Sequence, residues 1–212
     1  MSMDLWEYQQ EEAMAAYHEE LYENEFRERA IDEFTGERLT SYYFENPTIL
    51  KNSFEILKES KLVLDASPSA SLLLSCSSIE VSIKAGILKP IIYGLVHSEM
   101  AAEIIAETAI KQPGLDRFRD LLAKLIDDIA SFDIKSFKRV NAAKSLWNER
   151  AEIQKIRNGI AHKAEKCTKD EAQFSIEVAE AVLQQLIPTI LYSLDLSISS
   201  QGEVIEGAQT PP

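Results

Sequence analysis

The chain has 212 residues, of which 45% are hydrophobic and 27% are charged, and its formal net charge is −13. This composition predicts a globular protein with a single core. One of the longest apolar runs, residues 87–96, is interrupted by Lys89 and Pro90, and the N-terminus has no basic-then-apolar signal. These features argue against a membrane or secreted protein, so we expect a cytoplasmic one.

The two cysteines, Cys76 and Cys167, lie far apart in the sequence and have neither metal-ligand nor redox spacing. Two reduced thiols are the ordinary interpretation of this pattern. The three histidines are not clustered either. We therefore expect no metal site and no cofactor.

Residues 3–33 predict an amphipathic helical arm with eleven acidic residues against Arg27 and Arg29. Two roles are open for it. The arm packs on its own bundle, or it lies across a basic segment and imitates a polyanion. Gly36 predicts a break after this helix, and we assign residues 1–45 to the arm.

Two N-cap signals follow, Asn46-Pro47 and Ser67-Pro68, and they predict helices over 47–64 and 68–89. The second helix is apolar over most of its circumference and should be central. It also carries a stripe of small hydroxyl residues, which either let a neighbouring helix approach closely or line a wet cleft. The stripe consists of Ser71, Ser75, Ser78 and Ser82.

Two titratable residues in this region have alternative roles. Glu80 precedes Lys84 by four residues, which predicts an ion pair on a helix surface; alternatively, Glu80 holds Arg157 in place. His97 precedes Ser98, an N-cap candidate for a helix over 99–112. It is either a structural residue at the positive end of that helix or a second catalytic base.

Helices are also predicted over 115–130, 141–160 and 168–196. Thr168 and Glu171 form a capping box at the start of the last one, and Pro188 should kink it. Residues 198–212 are rich in Ser, Gly, Gln and Pro and predict a disordered tail. No stretch alternates with period two for long enough to form a strand. The expected class is therefore all-α, with an up-and-down helical bundle over residues 46–197.

The basic residues are concentrated in one segment of this acidic chain. Residues 135–169 hold ten basic and three acidic residues, a local charge of +7, so the remainder carries −20. Such an asymmetry favours a local anion site. The alternative is a solvated helix face that pairs with acidic segments elsewhere. The ten residues are Lys135, Lys138, Arg139, Lys144, Arg150, Lys155, Arg157, Lys163, Lys166 and Lys169.

Within this segment, Arg157 is followed by the polar Asn158 and then, after three more residues, by His162. A long predicted helix precedes this motif and a capped helix follows it. The pattern resembles the HEPN domain, a family of helical bundles whose motif is an Arg, a polar residue, a short spacer and a His. The resemblance covers roughly residues 46–196 and leaves the arm outside.

Many HEPN domains are metal-independent endoribonucleases, so the resemblance implies cleavage of RNA to a 2′,3′-cyclic phosphate and a 5′-hydroxyl. It makes Arg157, Asn158 and His162 the catalytic candidates. His162 would exchange protons with the 2′-hydroxyl or the leaving oxygen, and Arg157 would hold the phosphate. Asn158 would orient either one of these groups or the substrate by hydrogen bonds. Nearby Lys155, Lys163 and Lys166 are candidates for contacts with the RNA backbone.

The spacing raises a geometric question. In one continuous helix, five residues turn through about 500°, which leaves Arg157 and His162 about 140° apart. Gly159 and the loop before Thr168 offer one solution, a bend or unwinding of the helix end. A two-fold homodimer, in which both copies of the segment meet in a cleft, offers another, and HEPN ribonucleases resemble that arrangement.

One HEPN subgroup, which pairs with a nucleotidyltransferase, has a Tyr four residues after the His, and Lys166 stands there in this chain. The departure argues against that subgroup. The expected function is thus a toxin or phage-defence ribonuclease, with an antitoxin or other inhibitor protein as a further partner. Two alternatives stay open: a module that binds RNA or a nucleotide without cutting, and a helical interaction protein in which the motif residues pair or cap helix ends.

Overall fold

The computed structural model describes residues 5–111, 119–130 and 132–207, and these residues are mostly helical. The all-α class is confirmed, with one short antiparallel hairpin as its exception. Residues 112–118, which include the predicted start of the helix over 115–130, lie outside the described residues. The elements are α1 (Leu5–Glu45), α2 (Lys51–Val63), α3 (Pro68–Ile83), α4 (Lys89–Leu95), α5 (Glu99–Lys111), α6 (Arg119–Ala130), α7 (Leu146–Lys163), α8 (Lys169–Ala181), α9 (Ile187–Tyr192), β1 (Leu196–Ile198) and β2 (Val204–Glu206).

Helix α3 lies at the centre of the bundle and packs against α2, α7 and α8. Its four serines, Ser71, Ser75, Ser78 and Ser82, are fully buried. Ser71 and Ser78 donate to backbone carbonyls of α2 at 2.9 and 2.8 Å, and Ser75 contacts Ser175 of α8 at 2.5 Å. Small hydroxyls that satisfy one another allow close helix packing. The serine stripe therefore serves helix packing, and a wet cleft along it is the wrong alternative.

Two prolines follow π-helical turns, and neither ends its helix. The turn Lys84–Leu88 joins α3 to α4 just before Pro90, and Val182–Leu186 joins α8 to α9 just before Pro188. A proline has no N–H to donate and its ring crowds the carbonyl four residues earlier, and a wider π turn relieves both problems. The prediction that the helix ends at residue 89 is therefore wrong.

These two continuous helical stretches, Pro68–Leu95 and Lys169–Tyr192, are long and apolar enough to cross a membrane. The sequence, which predicts the end of a helix before Pro90, predicts no membrane-spanning helix. In each stretch, 61% of the most apolar window is buried inside the bundle. Core helices pass the same criterion of length and composition, so it places neither helix in a membrane.

Helix α1 runs through Gly36 without a break and ends inside the bundle. Leu39 and Tyr43 are buried in the core, and the Tyr43 hydroxyl donates to the Gly86 carbonyl at 2.6 Å. Arg38 donates to three carbonyls at the end of α4, at 2.8–3.2 Å. A helical glycine costs about 1 kcal/mol relative to alanine, which this burial outweighs. The bundle therefore begins before residue 46, and residues 1–45 are not a separate arm throughout.

The connection from α1 to α2 also differs from its prediction. The Asn46 carboxamide donates to the Tyr42 carbonyl at 2.9 Å and so caps the end of α1. Helix α2 begins only at Lys51, after a turn that buries Leu50. Asn46 is therefore a C-terminal cap, because a nearby helix end offers its side chain an acceptor.

The predicted disordered tail instead forms a hairpin up to residue 207. Leu196 and Val204 are buried, and Val204 donates to the Pro47 carbonyl at 2.8 Å. At the turn, Gly202 has φ +81° and packs directly on the Phe54 ring. Burial of two apolar residues and contact with the α1–α2 connection order this polar segment. Residues 208–212 lie outside the described residues.

Candidate functional site

Helix α7 carries the motif and packs between α3 and α8. It begins at Leu146, later than the predicted residue 141, because Asn141 has φ +63°, which is incompatible with a helix. Leu146, Trp147 and Ile153 are buried and hold the helix in the core. The motif in the last two turns is therefore presented from a firmly packed element.

The end of α7 is closed by a residue in the left-handed conformation. Ala164 adopts the left-handed conformation at φ +53°, and the N–H groups of Ala164 and Glu165 both donate to the Gly159 carbonyl. Helices often end this way, usually with glycine at the left-handed position. Helix α7 therefore continues past the predicted end at residue 160, and His162 and Lys163 form part of its last turn.

Gly159 does not loosen the helix, contrary to the prediction. The Glu165 side chain folds back over α7, and a Cβ at Gly159 would overlap its carboxylate. The glycine is buried beneath this side chain. Gly159 therefore provides room for Glu165, and the helix keeps its regular path between Arg157 and His162.

Arg157 and Asn158 form a local hydrogen-bonded set. The Asn158 oxygen accepts from Arg157 Nη1 at 3.2 Å and from Gln154 Nε2 at 3.3 Å. This arrangement orients the guanidinium, whose other N–H groups form no ion pair among the described residues. Of the two roles open for Asn158, orienting a catalytic group or orienting the substrate, the contact with Arg157 favours the first.

Arg157 is half-buried on the side of α7 that faces α3. Burial raises the pKa of the Cys76 thiol on α3 to about 11, and the positive charges of Arg157 and Arg150 partly oppose this rise. The two arginines are seven residues apart and share one helix face. Arg157 therefore lies near enough to α3 for its charge to act on the Cys76 thiol.

His162 lies on a different side of α7 and is exposed. Because the helix is regular over this stretch, the two side chains leave the axis about 140° apart. They do not meet on one phosphate within a single chain. One of the two routes to convergence, unwinding of the helix end, is not observed.

The basic segment divides into a paired part and an unpaired part. Most cations before the motif are neutralised: Arg139 pairs with Glu149 and Glu177 at 2.9 and 3.2 Å, and Lys144 pairs with Glu152 at 2.5 Å. These pairs match the alternative of a solvated, ion-paired face. They tie the connection before α7 to α7 and α8.

The cations around the motif have few partners. Lys155 and Lys166 are exposed and, like Arg157, form no ion pair among the described residues. Lys163 has only a long contact with Glu165, at 3.8 Å. These residues are spread around the end of α7 and the loop that follows it. We call Lys155, Arg157, His162, Lys163 and Lys166 the α7 basic surface. Its unpaired charges are available to an external anion.

The two supporting candidates lie elsewhere. Glu80 forms the ion pair with Lys84, at 2.6 Å, and Lys84 also donates to the Ile110 carbonyl. The His97 ring lies 5.6 Å from that of Phe34, which joins it to α1, whereas α7 packs on α3 and α8. Both residues thus have structural contacts, and no ion pair joins Glu80 to Arg157 among the described residues.

The sequence singles out Arg150 only as one of ten basic residues and does not predict its burial. Arg150 is 5% exposed and lies over the Trp147 ring at 5.0 Å, on the same helix face as Arg157. The seven-residue spacing of the two arginines is the signal that could have revealed it. Among the described residues, no three His, Cys, Asp or Glu side chains are grouped as metal ligands.

Comparison of the chain with protein-family models, with curated proteins and with solved structures gives no match. The resemblance to HEPN domains therefore depends on the spacing of Arg157, Asn158 and His162 and on their helical surroundings.

Proposed function

We propose that this protein is a HEPN-like, metal-independent endoribonuclease whose active site forms between two copies of the chain. The observation that carries the proposal is the α7 basic surface, which combines a half-buried arginine and an exposed histidine with lysines that have no carboxylate closer than 3.8 Å among the described residues. Phosphate groups bind such surfaces because the charges of Lys and Arg are not already neutralised. The helical bundle and the motif on a firmly packed helix agree with the HEPN resemblance.

The need for two chains follows from the path of α7. One regular helix separates Arg157 and His162 by about 140°, so a single copy cannot direct both at one phosphate. A two-fold axis beside the exposed end of α7 would place His162 of one copy opposite Arg157 of the other. The homodimer is therefore part of the proposed mechanism.

The chemistry is an internal phosphoryl transfer. The ribose 2′-hydroxyl attacks the adjacent phosphorus, the bond to the 5′-oxygen breaks, and the products are a 2′,3′-cyclic phosphate and a 5′-hydroxyl end. His162 from one copy accepts the 2′-hydroxyl proton, and an imidazolium or water protonates the leaving oxygen. Arg157, oriented by Asn158, stabilises the charge that builds on the phosphate oxygens. Lys155, Lys163 and Lys166 hold the flanking backbone.

A cleavage assay tests the proposal. End-labelled single-stranded RNA is incubated with EDTA and wild-type protein, His162→Ala, Arg157→Ala, or Lys111→Ala as a control on α5. We expect cleavage by wild type and the control and a loss of at least about 100-fold in the other two. That is the usual contribution of a general base, the role of His162, and of a group that stabilises transition-state charge, the role of Arg157. An all-DNA strand, which lacks the attacking hydroxyl, should stay intact. Equal cleavage by all four proteins would reject the assignment of the site.

The leading alternative is an RNA-binding module that does not cut. It is favoured by the half-buried position of Arg157 in the α7–α3 seam, which suits a fixed grip on phosphate. RNA that is retarded on a gel by wild type but never cleaved would select this alternative. Absence of both binding and cleavage would select the third, a helical protein that serves only in assembly.

An RNA-cleaving enzyme damages its own cell unless it is restrained. We therefore propose a role as a toxin or phage-defence effector in the cytoplasm, with an inhibitor protein as partner. Expression of wild type without that partner should arrest growth, whereas His162→Ala should be tolerated. Equal growth with both proteins would argue against this role.

A further inference from the structure

The N-terminal part of α1 extends away from the bundle. We call residues 5–33 the acidic arm; with a rise of 1.5 Å per residue it is about 44 Å long. Every side chain described between residues 10 and 33 is exposed, and burial of α1 begins only at Leu39. Packing on its own bundle, the first of the two roles open for the arm, is therefore not observed for the side chains described between residues 10 and 33.

The acidic arm combines a strong charge with large apolar side chains. It holds ten acidic and two basic residues, a net charge of −8. Exposed apolar residues of this number on one helix are typical of a surface that a partner covers. They are Met14, Tyr17, Leu21, Tyr22, Phe26 and Ile31.

Charge repulsion argues against two surfaces of a second copy as the place where the acidic arm binds. Two acidic arms, each at −8, would repel one another. The outer face of α5 exposes Met100 and Ile104, but Glu99, Glu103 and Glu107 lie beside them. That face would also repel the arm.

The α7 basic surface has the complementary charge. Its lysines, Lys155 and Lys166, lack carboxylate partners among the described residues, and Lys163 has only a long contact. The base of α1 packs on α4 and β2, whereas α7 packs on α3 and α8. The arm of one copy is thus rooted away from its own α7.

We propose that the acidic arm of one copy docks on the α7 basic surface of a second copy, where it imitates a polyanion and competes with RNA. The docking follows from the charge and exposure of the two surfaces. Its effect on RNA rests on the function proposed above. Release of the arm would then expose the site to substrate.

Disulfide trapping tests the docking directly. Two full-length chains of different tag size both carry Cys167→Ser; one also carries Glu23→Cys on the arm and the other Lys155→Cys on α7. Mild oxidation of the mixture should give a cross-link between the two sizes, which can form only between copies. The control replaces Lys155→Cys with Glu55→Cys on α2. A yield no higher than the control would overturn the proposal.

Competition is measured with a fluorescent 2′-O-methyl RNA 12-mer, which lacks the attacking hydroxyl. In one variant Glu19, Glu20, Glu23 and Glu25 become Gln; in the control Glu55, Glu59, Glu99 and Glu103 become Gln, with the same change in charge. If the arm covers the site about nine-tenths of the time, its neutralisation should tighten binding about tenfold relative to the control. Equal affinities of the two variants would overturn the competition.

The two proposals fail separately. A trapped cross-link without RNA cleavage would retain the docking and reject the ribonuclease. Cleavage by a protein that gives no cross-link above the control would retain the ribonuclease and reject the docking.

Discussion

At the scale of single residues, the end of α7 depends on a few side chains with distinct physical tasks. Asn158 accepts from Arg157 and so orients the guanidinium, while Gly159 leaves room for Glu165 to fold back over the helix. Ala164 then ends the helix in the left-handed conformation, which is energetically unfavourable for alanine. Two predictions follow from local backbone strain and from the buried thiol beside this helix.

Ala164→Gly should stabilise the protein. At φ +53° an L-residue places its Cβ close to backbone atoms, and removal of that Cβ should gain about 1 kcal/mol at this C-terminal cap. The free energy of unfolding in urea measures the effect. Ala161→Gly, in the regular last turn, is the control and should lose about 1 kcal/mol. A stability of Ala164→Gly at or below wild type would contradict the assigned cap.

Cys76 should make the stability of the protein fall in alkaline solution. Burial raises the pKa of this thiol to about 11 from an ordinary value near 9. Between these values the unfolded chain ionises and the native one does not, so the stability present below pH 9 is lost as the pH rises. The loss attributable to Cys76 at pH 10 should be about 1 kcal/mol.

The measurement is the free energy of unfolding of wild type and Cys76→Ala at pH 8 and pH 10. Tyr43, whose pKa burial also raises, contributes to both proteins and cancels in the comparison. The gap between the two proteins should narrow at pH 10. A gap that stays constant would show that the native thiol ionises freely.

At the scale of secondary-structure elements, tertiary contacts extend or order segments whose local sequence favours an interruption. The π turns carry two helices past Pro90 and Pro188, and burial at the base of α1 carries that helix past Gly36. The same effect orders the polar C-terminal segment as a hairpin. This hairpin contacts α2 through the pair Gly202 and Phe54.

Gly202→Ala should destabilise the protein by about 1–3 kcal/mol, as expected for overpacking in addition to backbone strain. The new Cβ would approach the Phe54 ring to 2.7 Å at a position with φ +81°. Gly207→Ala is a matched control, because Gly207 also has a positive φ, +94°, but has no atom near the new Cβ. Thermal unfolding of both variants separates the contact from the strain. Equal losses would mean that the hairpin does not press on α2.

At the scale of the whole molecule, the distribution of charge has more consequence than its sum. A net charge of −13 repels nucleic acid on average, yet the lysines of the α7 basic surface have no carboxylate closer than 3.8 Å among the described residues. The acidic arm, at −8, offers the opposite charge to another copy. Attraction of both RNA and the arm to this surface should therefore be sensitive to salt.

Substitution of Lys155, Lys163 and Lys166 by Ala should reduce the salt dependence of RNA binding. Each lost phosphate contact lowers the slope of log affinity against log salt by about 0.7 for a single strand, so the slope should fall by about 2. Fluorescence anisotropy at salt concentrations from about 50 to about 300 mM measures this slope. The control replaces Lys111, Lys144 and Lys169, which have carboxylate partners, and should change the slope less. Equal slopes for the two variants would mean that RNA does not bind at the α7 basic surface.

The sequence by itself determined the all-α class, the start of α3 after Ser67-Pro68, the capping box of Thr168 and Glu171, and the cluster of basic residues around the motif. These features depend on residues a few positions apart, where local hydrogen bonding and side-chain period decide the outcome. Only the tertiary structure decided that α1 passes Gly36, that the tail forms a hairpin up to residue 207, and which of the described basic residues form ion pairs. Those outcomes depend on burial and ion pairing between residues far apart in the chain, and such energies outweigh a local preference of about 1 kcal/mol.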